Sequence, residues 1–225
     1  MLALHSIAIE LLRHKPQTQL RMCIKIPGTW HGIQACKALE NSGPNSITTL
    51  ATIMFRMEQA ALAHDAGCTY IAPYVNELRV HFDSSYTDKA RGFDFCWEAQ
   101  AYYTERKSKT TVLAASLTSV EEVMSLSGIR GITISPPLLQ QLASQPPSPQ
   151  RTILSTTTRN ATRSDMNLET IVKDEAMWSN AFKKSGNGEC FRKLEQAVQY
   201  FCEFQNKLEE LVSPYASARC GGSKQ

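Results

Sequence analysis

The residue best placed to do chemistry is a lysine in an apolar setting. In Arg21-Met-Cys-Ile-Lys-Ile-Pro-Gly-Thr-Trp-His-Gly32, Lys25 interrupts a short run, Met22 to Ile26, with the composition of a strand buried on both faces. An ammonium is costly to bury, so such a lysine finds a partner or gives up its proton. A neutral amine is a nucleophile that condenses with carbonyls to form a Schiff base. The competing reading is a lysine that reaches solvent along its aliphatic stem from a strand end. Spacing alone leaves both open.

Other groups carry weaker signals. Asp94 and Glu98 stand four apart on a helical pattern, the usual spacing of a solvated face. His31 and His64 have no cysteine or carboxylate at ligand spacing, so no metal site is expected. His81 lies near Asp83, as an acid/base pair would, but such neighbours are common. Cys23 and Cys68 read as strand packing.

The elements that must hold Lys25 follow from the punctuation around it. Pro27-Gly28 breaks the strand, and Thr29 is a good N-cap for the amphipathic run Trp30–Leu39. Residues 4–14 read as a helix closed by Pro16. Strands are expected over 47–52, 68–72, 110–115 and 131–135, and helices over 55–66, 87–105, 119–126 and 136–143. Five alternations of strand and helix with short connections require parallel strands. Units of this size resemble part of an eight-stranded α/β barrel, where chemistry sits at the C-terminal ends of the strands. Beyond a Pro/Ser/Thr-rich loop over 144–164, helices are expected over 169–182 and 189–212, then a flexible tail over 213–225.

Composition narrows the functional classes. The formal charge is only +3 and the basic residues are scattered, so nothing points to nucleic acid. No apolar run approaches the ~20 residues of a membrane span, and the first ten residues lack a basic leader. Seven cysteines, odd in number and without a CxxC pair, fit reduced thiols in the cytoplasm.

Lys25-Ile-Pro-Gly-Thr-Trp-His-Gly32 closely resembles the KI(P/A)STWxG signature of transaldolases, with Gly28 in place of the serine. The likeness extends over roughly residues 4–212, through Thr49-Leu-Ala-Thr-Ile-Met-Phe55, Glu58-Gln-Ala-Ala, Ile71-Ala-Pro-Tyr-Val-Asn-Glu-Leu78, Val112-Leu-Ala-Ala-Ser116 and Ile134-Ser-Pro-Pro-Leu-Leu139. The TLAT and APYVNEL forms look like a fungal transaldolase-like branch. The resemblance implies an α/β fold, a partial (β/α)8 TIM barrel whose chain begins just before the family's fourth strand. Residues 1–212 would then be one domain lacking its first three strands, and with them the family's proton-transfer Asp and Glu.

The resemblance also implies roles. Lys25 would be the Schiff-base lysine, and Thr52 and Tyr74 would hold the catalytic water. Ser116 and Thr29 would contact substrate. The family's substrate-binding asparagine is replaced by Leu50, the serine of its ISPF motif by Ala72, and its two phosphate-binding arginines by Glu77 and Thr118. Arg79, two residues along, is the candidate substitute, against a plain surface arginine. The implied reaction transfers a three-carbon dihydroxyacetone unit between sugars, as in the non-oxidative pentose phosphate pathway, with no cofactor. Expected partners are a ketose and an aldose, with a sugar phosphate implied by the family and a non-phosphorylated substrate by the lost arginines. The alternative is an inactive or repurposed relative: a secondary-metabolism aldolase, or a remnant that binds another copy through open sheet edges.

Overall fold

The computed structural model describes residues 22–146 and 167–220. The helix expected over 4–14 and most of the loop over 144–164 lie outside them. The described chain alternates β1 (Cys23–Pro27), α1 (Trp30–Glu40), β2 (Thr48–Met54), α2 (Met57–Asp65), β3 (Tyr70–Pro73), α3 (Phe93–Glu105), β4 (Thr111–Ala114), α4 (Val120–Ser125), β5 (Gly131–Ile132) and α5 (Pro136–Ser144). The five strands form one sheet in the order β1-β2-β3-β4-β5, every pair parallel. This is the α/β architecture of a partial barrel.

The register explains which side chains are buried. Ile26, Ala51, Ile71 and Val112 are partners across β1 to β4 and are all buried under the helices. One residue earlier, Lys25, Leu50, Tyr70 and Thr111 form the neighbouring row, and all are exposed or partly so. Successive residues of a strand face opposite ways, so one row is core and the next lies on the inner face, which is open among the described residues.

This corrects the reading of Lys25 as buried. Lys25 and Cys23 are exposed, because β1 is an edge strand and only one face of the sheet is covered among the described residues. An apolar run says that a segment pairs; it does not say what lies over each face. Pro27 also falls inside β1 and not after it, which an edge tolerates because proline lacks only the donor.

The N-terminal rim is tied by one carboxylate. Glu40 accepts from the backbone N–H groups of Thr49 (2.8 Å) and Thr69 (2.8 Å), from their hydroxyls (2.8 and 3.0 Å), and from Lys109 (3.2 Å). Burial alone would raise its pKa, but the hydrogen bonds from Thr49 and Thr69 hold it below the usual range.

Beyond the barrel units, α6 (Leu168–Ile171), α7 (Glu175–Lys184) and α8 (Glu189–Cys220) follow. The single helix expected over 169–182 is broken because Asp174 caps α7, its carboxylate accepting from Met177 N at 2.8 Å. Gly186 and Asn187, at φ 58° and 56°, separate α7 from α8. The last helix continues past Val212 to Cys220. Trp178 of α7 donates to Glu58 O (2.8 Å) and stacks on Phe182, anchoring these helices to α2.

Candidate active site

A buried amide fixes the turn after Lys25. Gln59 is fully buried, and its Nε2 donates to Gly28 O (2.8 Å) and Ile53 O (3.3 Å) while its Oε1 accepts from Phe55 N (2.8 Å). Gly28 N in turn donates to Thr52 O at 2.7 Å. The ends of β1 and β2 are thereby clipped together. A Cβ at Gly28 would stand 2.9 Å from Met54 Cγ and 3.0 Å from Thr52 O, so this close approach favours glycine where the resembling motif has serine. Thr29 is occupied as the cap of α1, its Oγ1 accepting from Gly32 N at 3.0 Å. The structure thus gives Thr29 a helix-capping task.

Lys25, Thr52 and Tyr74 do come together. The Lys25 Nζ stands 6.0 Å from the Tyr74 ring centroid, on the inner face. Thr52 Oγ1 donates to the Tyr74 hydroxyl at 3.4 Å, and both residues are buried. That bond is long, so each hydroxyl keeps capacity for another donor or acceptor. Phe55 packs edge-on against the Tyr74 ring, centroids 6.0 Å apart. Ile53, in between, has φ 53° at an irregularity in the β2–β3 register, the kind of backbone strain that collects at functional sites.

Ser116 lies at the same rim, after β4. Tyr74 pairs with Ala115, so Ser116 is the next residue on the strand beyond Tyr74. Its φ of 62° is held by two bonds to its carbonyl, from Asn76 N (3.2 Å) and Asn76 Nδ2 (2.9 Å). Its Oγ meets His81 Nε2 at 2.8 Å. The sequence pattern had set His81 beside Asp83; the structure pairs it with a residue 35 positions away.

Asp83 instead binds Arg79, at 2.8 Å from Nη2 and 3.1 Å from Nε, and the guanidinium lies over the Tyr86 ring. Arg79 is exposed, and its guanidinium is paired with Asp83. Glu77, fully buried, pairs with Arg192. Its backbone N–H donates to Asp88 (2.8 Å), and Asp88 forms a buried pair with Lys193 at 2.6 and 2.8 Å. Burial would raise the Asp88 carboxyl; Lys193 and the backbone N–H groups of Glu77 and Ala90 hold it below the usual range. Glu122 accepts from Thr118 N (2.8 Å), Thr118 Oγ1 (3.1 Å) and Asn76 Nδ2 (2.9 Å), and pairs with Arg91 at 3.3 Å.

These contacts explain why residues 87–92 are not helical and α3 begins only at Phe93. Asp88 is held by Lys193, 105 positions away, a constraint no local pattern displays.

Among the described residues no group of three or more His, Cys, Asp or Glu could hold a metal ion, and no helix is long and apolar enough to cross a membrane.

A parallel strand–helix sheet of this kind fits part of an α/β barrel. The family model for transaldolase/fructose-6-phosphate aldolase matches residues 7–212, and the chain belongs to that family. It is 30% identical over 204 residues to a transaldolase of Alteromonas mediterranea, covering 88% of this chain and 60% of that protein. It is 35% and 36% identical over 128 residues to transaldolases of Chlamydia felis and Chlamydia pneumoniae, covering 54% of this chain and 38% of each. The chain therefore spans 60% or less of the length of these relatives.

Proposed function

We propose that this chain is a Schiff-base aldolase of transaldolase type that moves a three-carbon unit from a ketose to an aldehyde. The observation that carries the reading is Lys25 Nζ on the open inner face beside the buried Thr52–Tyr74 hydroxyl pair.

Lys25 attacks the ketose carbonyl as the free amine, water leaves, and an iminium forms. A water bound between Thr52 and Tyr74 takes the proton from the hydroxyl at the fourth carbon. The bond between the third and fourth carbons breaks, an aldehyde departs, and its electron pair stays on the lysine-bound unit as an enamine. An incoming aldehyde takes that pair in the reverse step, and hydrolysis frees Lys25.

The substrates proposed are a ketose donor and an aldose acceptor, without a strong demand for phosphate. The carboxylate of Glu77 and the Glu122-bound Thr118 offer a phosphate no bidentate clamp. Incubating the protein with fructose or fructose 6-phosphate and an aldose acceptor tests this. The expected result is transfer with both donors, kcat/KM differing by less than about tenfold, and none by Lys25→Ala. Transfer that survives in Lys25→Ala contradicts the reading.

One feature favours a second reading, a chain that acts within an assembly. Among the described residues the β1 edge, with Cys23 and Lys25 exposed, is unpaired and open to another copy. A concentration-dependent mass by light scattering supports it; a monomer at all concentrations removes it.

A further inference from the structure

We infer that Lys193, on the last helix, is a positioning residue for Tyr74: through Asp88 it holds the segment that packs against the Tyr74 backbone. The inference rests on the reading of Tyr74 as a holder of the catalytic water.

The path is short. Lys193 Nζ donates to both oxygens of Asp88 (2.8 and 2.6 Å) and to Ala90 O (2.8 Å), and both charged side chains are buried. Asp88 in turn accepts from Glu77 N and Ala90 N, each at 2.8 Å. Two residues past Ala90, Gly92 N donates to Val75 O at 2.8 Å. A Cβ at Gly92 would stand 2.7 Å from Tyr74 O, so the backbone there lies directly against the tyrosine. Residues 88–92 are thus fastened to Lys193 on one side and to residues 74–77 on the other.

The same helix also reaches the neighbour of the Tyr74 ring. Cys190 Sγ lies 3.9 Å from Phe55 O, and Phe55 packs edge-on against Tyr74. Arg192, beside Lys193, pairs with Glu77. Three residues within one turn of α8 therefore grip the two segments that flank the tyrosine.

Stability alone does not account for the buried ion pair. Taking two charges out of water costs about what their attraction returns, and apolar residues of similar volume do as well or better. Apolar residues cannot accept two backbone N–H groups and bind a carbonyl as well. Residues 82–92 form neither helix nor strand, so those bonds are what fix their course. The position matters for Tyr74 because its hydroxyl and that of Thr52 stand 3.4 Å apart, and a shared water needs both within reach.

The test asks whether Lys193 acts through the tyrosine. Lys193→Met keeps aliphatic bulk and is expected to lower kcat for transfer from fructose about tenfold, with KM within about twofold. Asp88→Ala with Lys193→Met leaves no charge stranded, so it should fold and show the same loss. In a Tyr74→Phe background either change should cost less than about twofold, because no hydroxyl is left to position. Asp88→Asn with Lys193→Gln, a neutral pair that can still hydrogen-bond, should return kcat to within about threefold of the parent. Full additivity with Tyr74→Phe, or a parental kcat in the folded variants that lack the pair, overturns the inference.

A second arm needs no turnover. In protein with tyrosine isotopically labelled at Cζ, the Tyr74 resonance, identified by its absence in Tyr74→Phe, should move in the variants that lack the pair. That of Tyr103, which donates to Ala60 O at 2.9 Å, should stay. A Tyr74 resonance that stays, or that moves only together with that of Tyr103, overturns the inference even if Lys25 chemistry stands. Selective movement in a chain whose Lys25 forms no adduct supports the link from Lys193 to Tyr74 and removes the Schiff-base reading.

Discussion

The two rims of the sheet are both polar but are wired in opposite ways. At the N-terminal rim Glu40 satisfies two backbone amides, two hydroxyls and Lys109, all at 2.8–3.2 Å. At the C-terminal rim the hydroxyls of Thr52 and Tyr74 meet at 3.4 Å, Lys25 stands 6.0 Å from the ring, and Ile53 and Ser116 hold left-handed backbones. A saturated network has nothing left to offer a ligand and stabilises. An unsaturated and strained one holds capacity that a substrate can complete.

If that contrast is right, substitutions at the two rims separate stability from activity. The largest effect is expected at the saturated rim. Glu40→Ala strands the Thr49 and Thr69 donors and should cost about 3 kcal/mol of folding stability by denaturant titration. Turnover of the protein that remains folded should stay within about twofold. A large loss of turnover at full folding would erase the distinction between the rims.

Thr52→Val at the open rim should do the reverse. A proton-shuttling contact is worth about a hundredfold in kcat, or about 2.7 kcal/mol, while the melting temperature moves little. Tyr74→Phe should match it, and the double variant should add little to either single one, because the proposed mechanism gives both the same water.

Gly28→Ser, which restores the motif's serine, tests the clip between the rims' strands. Its Cβ would crowd Met54 Cγ and Thr52 O, so about 1 kcal/mol should be lost, and more would be recovered by trimming Met54 than by altering Gln59.

The smallest effect is one of pH. Because the folded pKa of Glu40 lies below its ordinary value of 4.5, its contribution is complete above that value and fades as acid drops the pH through the folded pKa. Glu40→Gln should flatten the fall in stability below pH 4.5, leaving the neutral-pH slope unchanged.

Local pattern made part of this legible. The strand, turn and capped helix around Lys25 rest on neighbours in sequence. The alternation of five strands and helices follows from period and spacing. What sequence left hidden is long-range. Lys25's exposure depends on what covers a sheet face, the late start of α3 on Lys193, and His81's partner on a serine after another strand. Asp174 as the cap that divides α6 from α7 was open to local reading, since Asp before a helical run is a start signal. The apolar periodicity on both sides masked it.

The central claim is that Lys25 is the nucleophile. Incubation with dihydroxyacetone followed by borohydride reduction and peptide mass spectrometry tests it directly. The account predicts one three-carbon adduct on the peptide containing Lys25, absent in Lys25→Ala and retained in Thr52→Val at a slower rate. An adduct that persists in Lys25→Ala, or that spreads over exposed lysines such as Lys37 and Lys207 without favouring Lys25, would contradict it.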